Sequence, residues 1–142
     1  MKTNSMFAVE NLVAAFIHTT YAFKSLPLSI RVGVNNPWLD DMLINAGFKT
    51  WAYVGAANPY GQEISETENI TRNNTLRSNL IKDGFVVFEG EGIPDVEGWK
   101  PETGFFIFGI DEKTARILAK NWDQKSFLFG KVGGNTELRH TQ

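Results

Sequence analysis

Cysteine is absent from the 142 residues, which excludes disulfides, thiolate nucleophiles and zinc sites built on sulfur, and fits a reducing cytoplasm. Histidine is scarce. His18 and His140 are the only two and lie far apart in sequence, which disfavours a histidine metal site or catalytic pair. Excess charge of one sign is missing as well: 14 Lys and Arg stand against 16 Asp and Glu, a net charge of -2. Duplex DNA and anionic membranes therefore gain no overall attraction. No apolar run approaches the roughly 20 residues that cross a bilayer. Residues 7–17 come nearest, but Glu10 and Asn11 interrupt them and no small-residue cleavage pattern follows, so they are not read as a signal sequence. Gly-x-Ser-x-Gly, His-Glu-x-x-His and Walker patterns are also absent, and with them the common hydrolase and NTPase signatures. The sequons at Asn69 and Asn73 are read as chance matches.

What is present is an aromatic core: 11 Phe and 4 Trp in a chain that is 42% hydrophobic and 21% charged. This length fits one domain, residues 1–142, that buries about two-thirds of its unfolded surface, with 132–142 expected as a flexible tail. Leu12, Ala15, Phe16 and Thr19 recur at helical spacing and predict a helix over residues 8–21. Residues 28–34 then alternate like a strand with one buried face. Asn36 before Pro37 predicts a capped helix that Gly47 ends. Residues 51–57, apolar on both faces, predict a central strand covered on both sides.

Ser65 and Glu68 have the spacing of a capping box and open a helix over residues 66–82, closed by Gly84. Strands are expected at 85–89 and 104–109, separated by a Gly- and Pro-rich stretch read as irregular. Asp111 caps a further helix, with Ile110 stapled to Ala115, and residues 126–132 form a last strand, with room for a short one around Leu138. From Trp51 the order is strand-helix-strand-strand-helix-strand, that of a split βαβ, or ferredoxin-like, unit. The expected class is α+β: a mixed, largely antiparallel sheet of about five strands, with an N-terminal helix and an added edge strand. A doubly wound parallel sheet competes, but the connection between Phe88 and Phe105 is too short for a parallel crossover.

Asn58-Pro59, Ser65, Glu68-Asn69, Arg72-Asn73, Leu76, Gly84, Gly90-Glu91-Gly92, Trp99-x-Pro101-Glu102, Gly109 and Gln124 follow one another in a set order. In order and spacing they resemble an uncharacterised bacterial family, domain-of-unknown-function family 3293, over residues 28–130. The resemblance implies no activity, because the family is named for having none assigned. Two departures stand out: Gly104 occupies a place where serine is common, and Lys100 parts Trp99 from Pro101. If that serine hydroxyl serves chemistry in the family, this chain lacks it.

The end of the central strand is the expected site, because open α/β sheets bind ligands outside the carboxyl ends of their strands. Asn58 and Tyr60 stand there, although Asn-Pro equally favours a turn that the side chain caps itself and Tyr60 equally covers core. Asn69 and Asn73 continue into Leu76 and Leu80 at helical steps, so these amides face inward and need partners, in the Asn58 loop or in a ligand. Arg72 reaches either Glu68, four residues away, or Glu102. Glu102 and Glu68 are the weak candidates for a general acid or base, Glu68 being already explained as a capping partner. Gln124 joins as a group that satisfies backbone at a turn or meets a ligand.

The leading expectation is a cytoplasmic binding module whose pocket of Asn58, Tyr60, Asn69, Arg72, Asn73, Glu102 and Gln124 takes a small polar or nucleotide-like ligand. One alternative is an enzyme using a carboxylate in hydrolysis or transfer. Another is an interaction or inhibitor domain that meets a protein partner through the Trp99 loop. No metal or cofactor is expected, and neither duplex DNA nor a membrane is an expected partner. Trp99 and the phenylalanines at 105, 106 and 108 lack interleaved Lys or Arg, so they are read as core rather than as an RNA-stacking face.

Overall fold

The computed structural model describes residues 14–142, in an α+β arrangement. Strands β1 (Thr19–Phe23), β2 (Ser29–Ile30), β3 (Thr50–Val54), β4 (Val86–Pro94), β5 (Glu102–Phe108), β6 (Ser126–Lys131) and β7 (Glu137–His140) form one sheet. Its order is β2-β1-β4-β5-β3-β6-β7, and every neighbouring pair is antiparallel. Helices α1 (Pro37–Ala46), α2 (Glu66–Lys82) and α3 (Glu112–Asn121) pack on it, and a 3-10 turn at Pro59–Gly61 follows β3. The sheet thus has seven strands rather than about five, and among the described residues no parallel pair makes it mixed.

The differences from expectation have local causes. Residues 8–13 of the predicted first helix lie outside the described residues. Residues 14–17 are helical, but Thr19–Phe23 is a strand: Tyr21 and Phe23 are both buried, a period of two, in a segment rich in threonine and aromatics that favours a pleated surface. The predicted strand over 28–34 shrinks to Ser29–Ile30 at the sheet edge, since Gly33 has φ +86° and turns the chain. Asn36 stands at the start of α1 but makes no side-chain cap, and its buried Nδ2 has no hydrogen-bond partner among the described residues. β4 runs on through Gly90, Glu91 and Gly92 to Pro94, because those glycines meet aromatic rings rather than a turn. Residues 137–140, within the stretch read as tail, pair with β6 as β7.

Both faces of the sheet are covered, which explains the uninterrupted apolar runs in β3, β5 and β6. On one face Ala52, Val54, Phe105, Ile107, Phe127 and Phe129 meet Leu76 and Leu80 of α2 and Ala115 and Ala119 of α3. On the other, Trp51, Tyr53, Phe106, Phe108 and Leu128 meet Leu39 and Leu43 of α1 and Tyr21 and Phe23 of β1. Ser65 Oγ caps α2 by accepting from the Glu68 N–H at 3.1 Å, and Asp111 caps α3 by accepting from the Thr114 N–H at 2.7 Å. The Glu68 carboxylate bonds the Ser65 hydroxyl at 2.9 Å instead of its backbone, so the capping box is half formed.

The second face is aromatic because the strands opposite supply glycine. Phe106 lies flat on Phe23, with ring centroids 3.8 Å apart and planes 6° apart, in space that Gly90 leaves open. A Cβ at Gly90 would stand 2.5 Å from that ring and 2.7 Å from the Ala22 carbonyl oxygen, and the second contact is backbone that cannot rotate away. Gly90→Ala should therefore cost about 1–3 kcal/mol of stability through overpacking. Urea unfolding would show this as a lower midpoint at unchanged slope, and an unmoved midpoint would refute the fit.

Candidate functional site

At the carboxyl end of β3 the chain enters residues 55–65, and three non-glycine residues around it adopt positive φ: Asn58 at 48°, Tyr60 at 57° and Asp123 at 60°. Asn and Asp tolerate this conformation, whereas tyrosine does so only where its surroundings hold it. The Tyr60 N–H donates to the Asp123 carbonyl at 2.7 Å, and the neighbouring Asp123 carboxylate raises the phenol pKa. Tyr60 is 60% exposed and so covers no core.

The residues expected at this site do converge, mostly on backbone and on one another. Asn73, buried on α2, accepts from the Ala56 N–H at 3.2 Å. Asn69 Oδ1 accepts from the Asn58 N–H at 2.8 Å, while its Nδ2 donates to Asn58 Oδ1 at 2.8 Å. Asn58 Oδ1 also accepts from the Ile64 N–H at 3.2 Å, and its Nδ2 donates to Glu102 Oε1 at 3.1 Å. Arg72 donates to the carbonyls of Ala56 at 2.6 Å and Trp122 at 2.8 Å, and lies over the Trp122 ring at 5.4 Å. Its carboxylate neighbour is Asp123 at 3.5 Å, not Glu68 or Glu102. Gln124 Nε2 donates to the carbonyls of Ala57 and Trp122, each at 3.0 Å.

Beside this network a cavity of about 530 Å³ opens on the sheet face that also carries α1. Glu102 and Gln124 line it; Asn58, Tyr60, Asn69, Arg72, Asn73 and Glu68 do not. Its walls include Tyr21, Tyr53, Gly55, Gly92, Trp99 and Ser126. Tyr21 and Tyr53 meet edge to face, 5.0 Å between centroids and 64° between planes. Burial raises both phenol pKa values, and the Glu102 charge adds to each, so both rings are neutral phenols. Desolvation likewise raises the Glu102 carboxyl pKa, opposed by the Asn58 hydrogen bond, although the residue as a whole remains exposed through the opening.

Ser126 and His140 form a pairing that the sequence separation concealed: Ser126 Oγ lies 2.8 Å from His140 Nδ1 across the β6–β7 ladder. A nucleophile and a base are thus adjacent, but Gln124, the nearby amide on the cavity wall, already gives its N–H groups to two carbonyls and is not free to serve as an oxyanion donor. Tyr21, Tyr53, Gly55 and Ser126 escaped notice in the sequence because their strand alternation looks the same as core packing. The one available signal was a single polar residue, Ser126, ahead of the apolar run from Phe127 to Phe129. No group of three or more metal-ligating side chains occurs among the described residues.

The family model described as "Protein of unknown function (DUF3293)" matches residues 54–127. The chain belongs to this family. The match spans β4, β5, α2 with Arg72, α3, and the connections that carry Asn58 and Gln124, a narrower range than the expected 28–130. No curated protein and no solved structure matches the chain. Within the family segment Gly104 packs against Tyr53: a Cβ there would meet the Tyr53 Cε1 at 2.8 Å, so in this chain the tyrosine occupies the space. None of the described helices is long and apolar enough to cross a membrane.

Two outcomes follow from this geometry. Asn73→Leu should cost about 1–3 kcal/mol, since it leaves the buried Ala56 N–H without its acceptor. Hydrogen exchange at Ala56 would quicken as well, and unchanged protection there would contradict the bond. Glu102 binds its proton more tightly folded than unfolded, so its contribution to stability is present at acid pH and declines as pH rises above the ordinary value of 4.5. Glu102→Gln, which keeps an acceptor for Asn58, should therefore gain stability relative to wild type above about pH 4.5 and lose that gain below it. A difference that is flat with pH in denaturant titrations would refute the shift.

Proposed function

We propose that the protein is a binding module for a small ligand held in the cavity beside the end of β3. The observation that carries this reading is the cavity itself: about 530 Å³, with aromatic walls and few polar groups converging on it, the form that small-molecule sites take. Asn58, Asn69, Arg72 and Asn73 act here as the frame that fixes the rim, and Glu102 and Gln124 as the polar groups a ligand meets. A ligand with phosphate groups is disfavoured, since no lysine or arginine is among the described residues that line the cavity. The order β4-β5-β3-β6, with α2 joining β3 to β4 and α3 joining β5 to β6, supports reading this part as a split βαβ, ferredoxin-like unit with its site at one sheet end.

A second reading, docking of a protein partner, is supported by Trp99, which is 67% exposed at the cavity mouth. An enzymatic role would rest on Glu102, the lining carboxyl with a raised pKa.

Gly55 separates these readings. A Cβ there stands 3.4 Å from the Thr103 carbonyl and 3.9 Å from Gln124 Oε1, ordinary contacts, so Gly55→Leu should fold and project its side chain into the cavity. In a thermal-shift screen of metabolites, ligands should raise the midpoint of wild type and leave Gly55→Leu unmoved. Ligands that shift both proteins equally, or none that shifts wild type, would overturn the cavity as the site.

A further inference from the structure

The chemistry of the cavity narrows the ligand further. Tyr21 pairs with Gly92 across the β1–β4 ladder, and Gly92 pairs with Glu102 across β4–β5. Tyr21 and Glu102 therefore stand on one line across three strands, about 10 Å apart between backbones. The position between them has no side chain. Tyr53 closes the line from the side by its edge-to-face contact with Tyr21, and Trp99 stands at the mouth. The Tyr21 ring leans over Gly92, where a Cβ would meet its Cε1 at 3.3 Å, so this wall of the cavity runs from a carboxylate at one end to phenol rings at the other.

The charges around it are arranged unevenly. Asp95, the other carboxylate among the described residues of the cavity wall, is held by Arg31 through two hydrogen bonds of 2.6 and 3.1 Å, with His18 at 4.0 Å. Glu89 pairs with Lys24 at 3.2 Å, and Lys24 Nζ, 3.4 Å from the Thr103 hydroxyl, is thereby engaged. Arg72 is spent on two carbonyls and Asp123. Glu102 has only the neutral amide of Asn58, and among the described residues it has no cationic partner. The acidic field reaches the rings too, because Glu102, Glu91 and Glu89 all disfavour ionisation of Tyr53.

We propose that the cavity selects an organic cation, an amine with an apolar body, whose charge lies in the cavity beside the Glu102 carboxylate and against the aromatic wall of Tyr21, Tyr53 and Trp99. Aromatic faces attract cations through their quadrupole, and a partly desolvated carboxylate without a cation gains most from receiving one. This inference rests on the cavity being a binding site and adds the class of ligand.

Three probes of nearly equal shape test it on the full chain: 4-phenylbutylamine, 4-phenylbutanol and 4-phenylbutyrate, titrated at neutral pH by calorimetry. The amine should bind roughly tenfold or more tightly than the alcohol, with the carboxylate weakest. Glu102→Gln should bring the amine down to the level of the alcohol, and Glu102→Asp, which keeps the charge, should preserve part of the preference. Equal binding of all three would overturn the cation preference and leave the cavity as a binding site. Absence of binding by any of the three, or binding that Gly55→Leu does not reduce, would overturn both.

Discussion

The guanidinium of Arg72 is the constraint on which the site depends. From the second turn of α2 it holds the carbonyl of Ala56, just past β3, and the carbonyl of Trp122, at the end of α3. Two chain segments that are 66 residues apart in sequence are thereby fixed at one point, and the Trp122 ring shields that point on one side. Lysine could not reproduce this, because one ammonium lacks the planar fork that reaches two carbonyls while stacking on a ring. The left-handed conformations of Asn58, Tyr60 and Asp123 sit around this clamp, where the network holds backbone that would otherwise relax.

Beyond the clamp, the sheet face carrying α1 is divided between two uses. Near the start of β3, Trp51 packs with Leu39 and Leu43 under α1. One step further along the same face, Tyr53 reaches the cavity. The division follows from side-chain size. Gly92 and Gly104 withdraw volume from the sheet surface and the rings of Tyr21 and Tyr53 take it, whereas Gly55 lines the cavity with no side chain of its own. Electrostatics follow the same line, since Lys24 and Arg31 are paired with carboxylates while Glu102, among the described residues, meets only an amide.

Much of this was legible in the sequence where local signals are strong. Helix α2 begins and ends at the predicted residues because Ser65 and Gly84 specify its ends, and the inward step of Asn73, Leu76 and Leu80 is a helical period that nothing else explains. The meeting of Asn58, Asn69, Arg72 and Gln124 was also visible as a cluster of polar residues at element ends. Their partners were not, because a side chain's choice between a ligand and a backbone carbonyl depends on distances that sequence does not carry. β1 was misread because Thr19 continues the helical period of Leu12, Ala15 and Phe16 and yet opens a strand. The cavity itself was illegible: it is made of glycines whose role is to be absent, and of Tyr21 and Tyr53, which read as core.

The family match begins at Val54, one residue after Tyr53, and this divides the cavity between two parts of the chain. Gly55, Gly92, Glu102 and Gln124 come from inside the matched segment, whereas Phe16, Tyr21 and Tyr53 come from before it. The acid and the glycines of the wall therefore lie within the matched segment, together with Trp99, and the two tyrosines lie ahead of it. The Arg72 clamp, from Ala56 to Trp122, is contained wholly in the matched segment, so the rim is fixed by contacts that the tyrosine side of the cavity does not share.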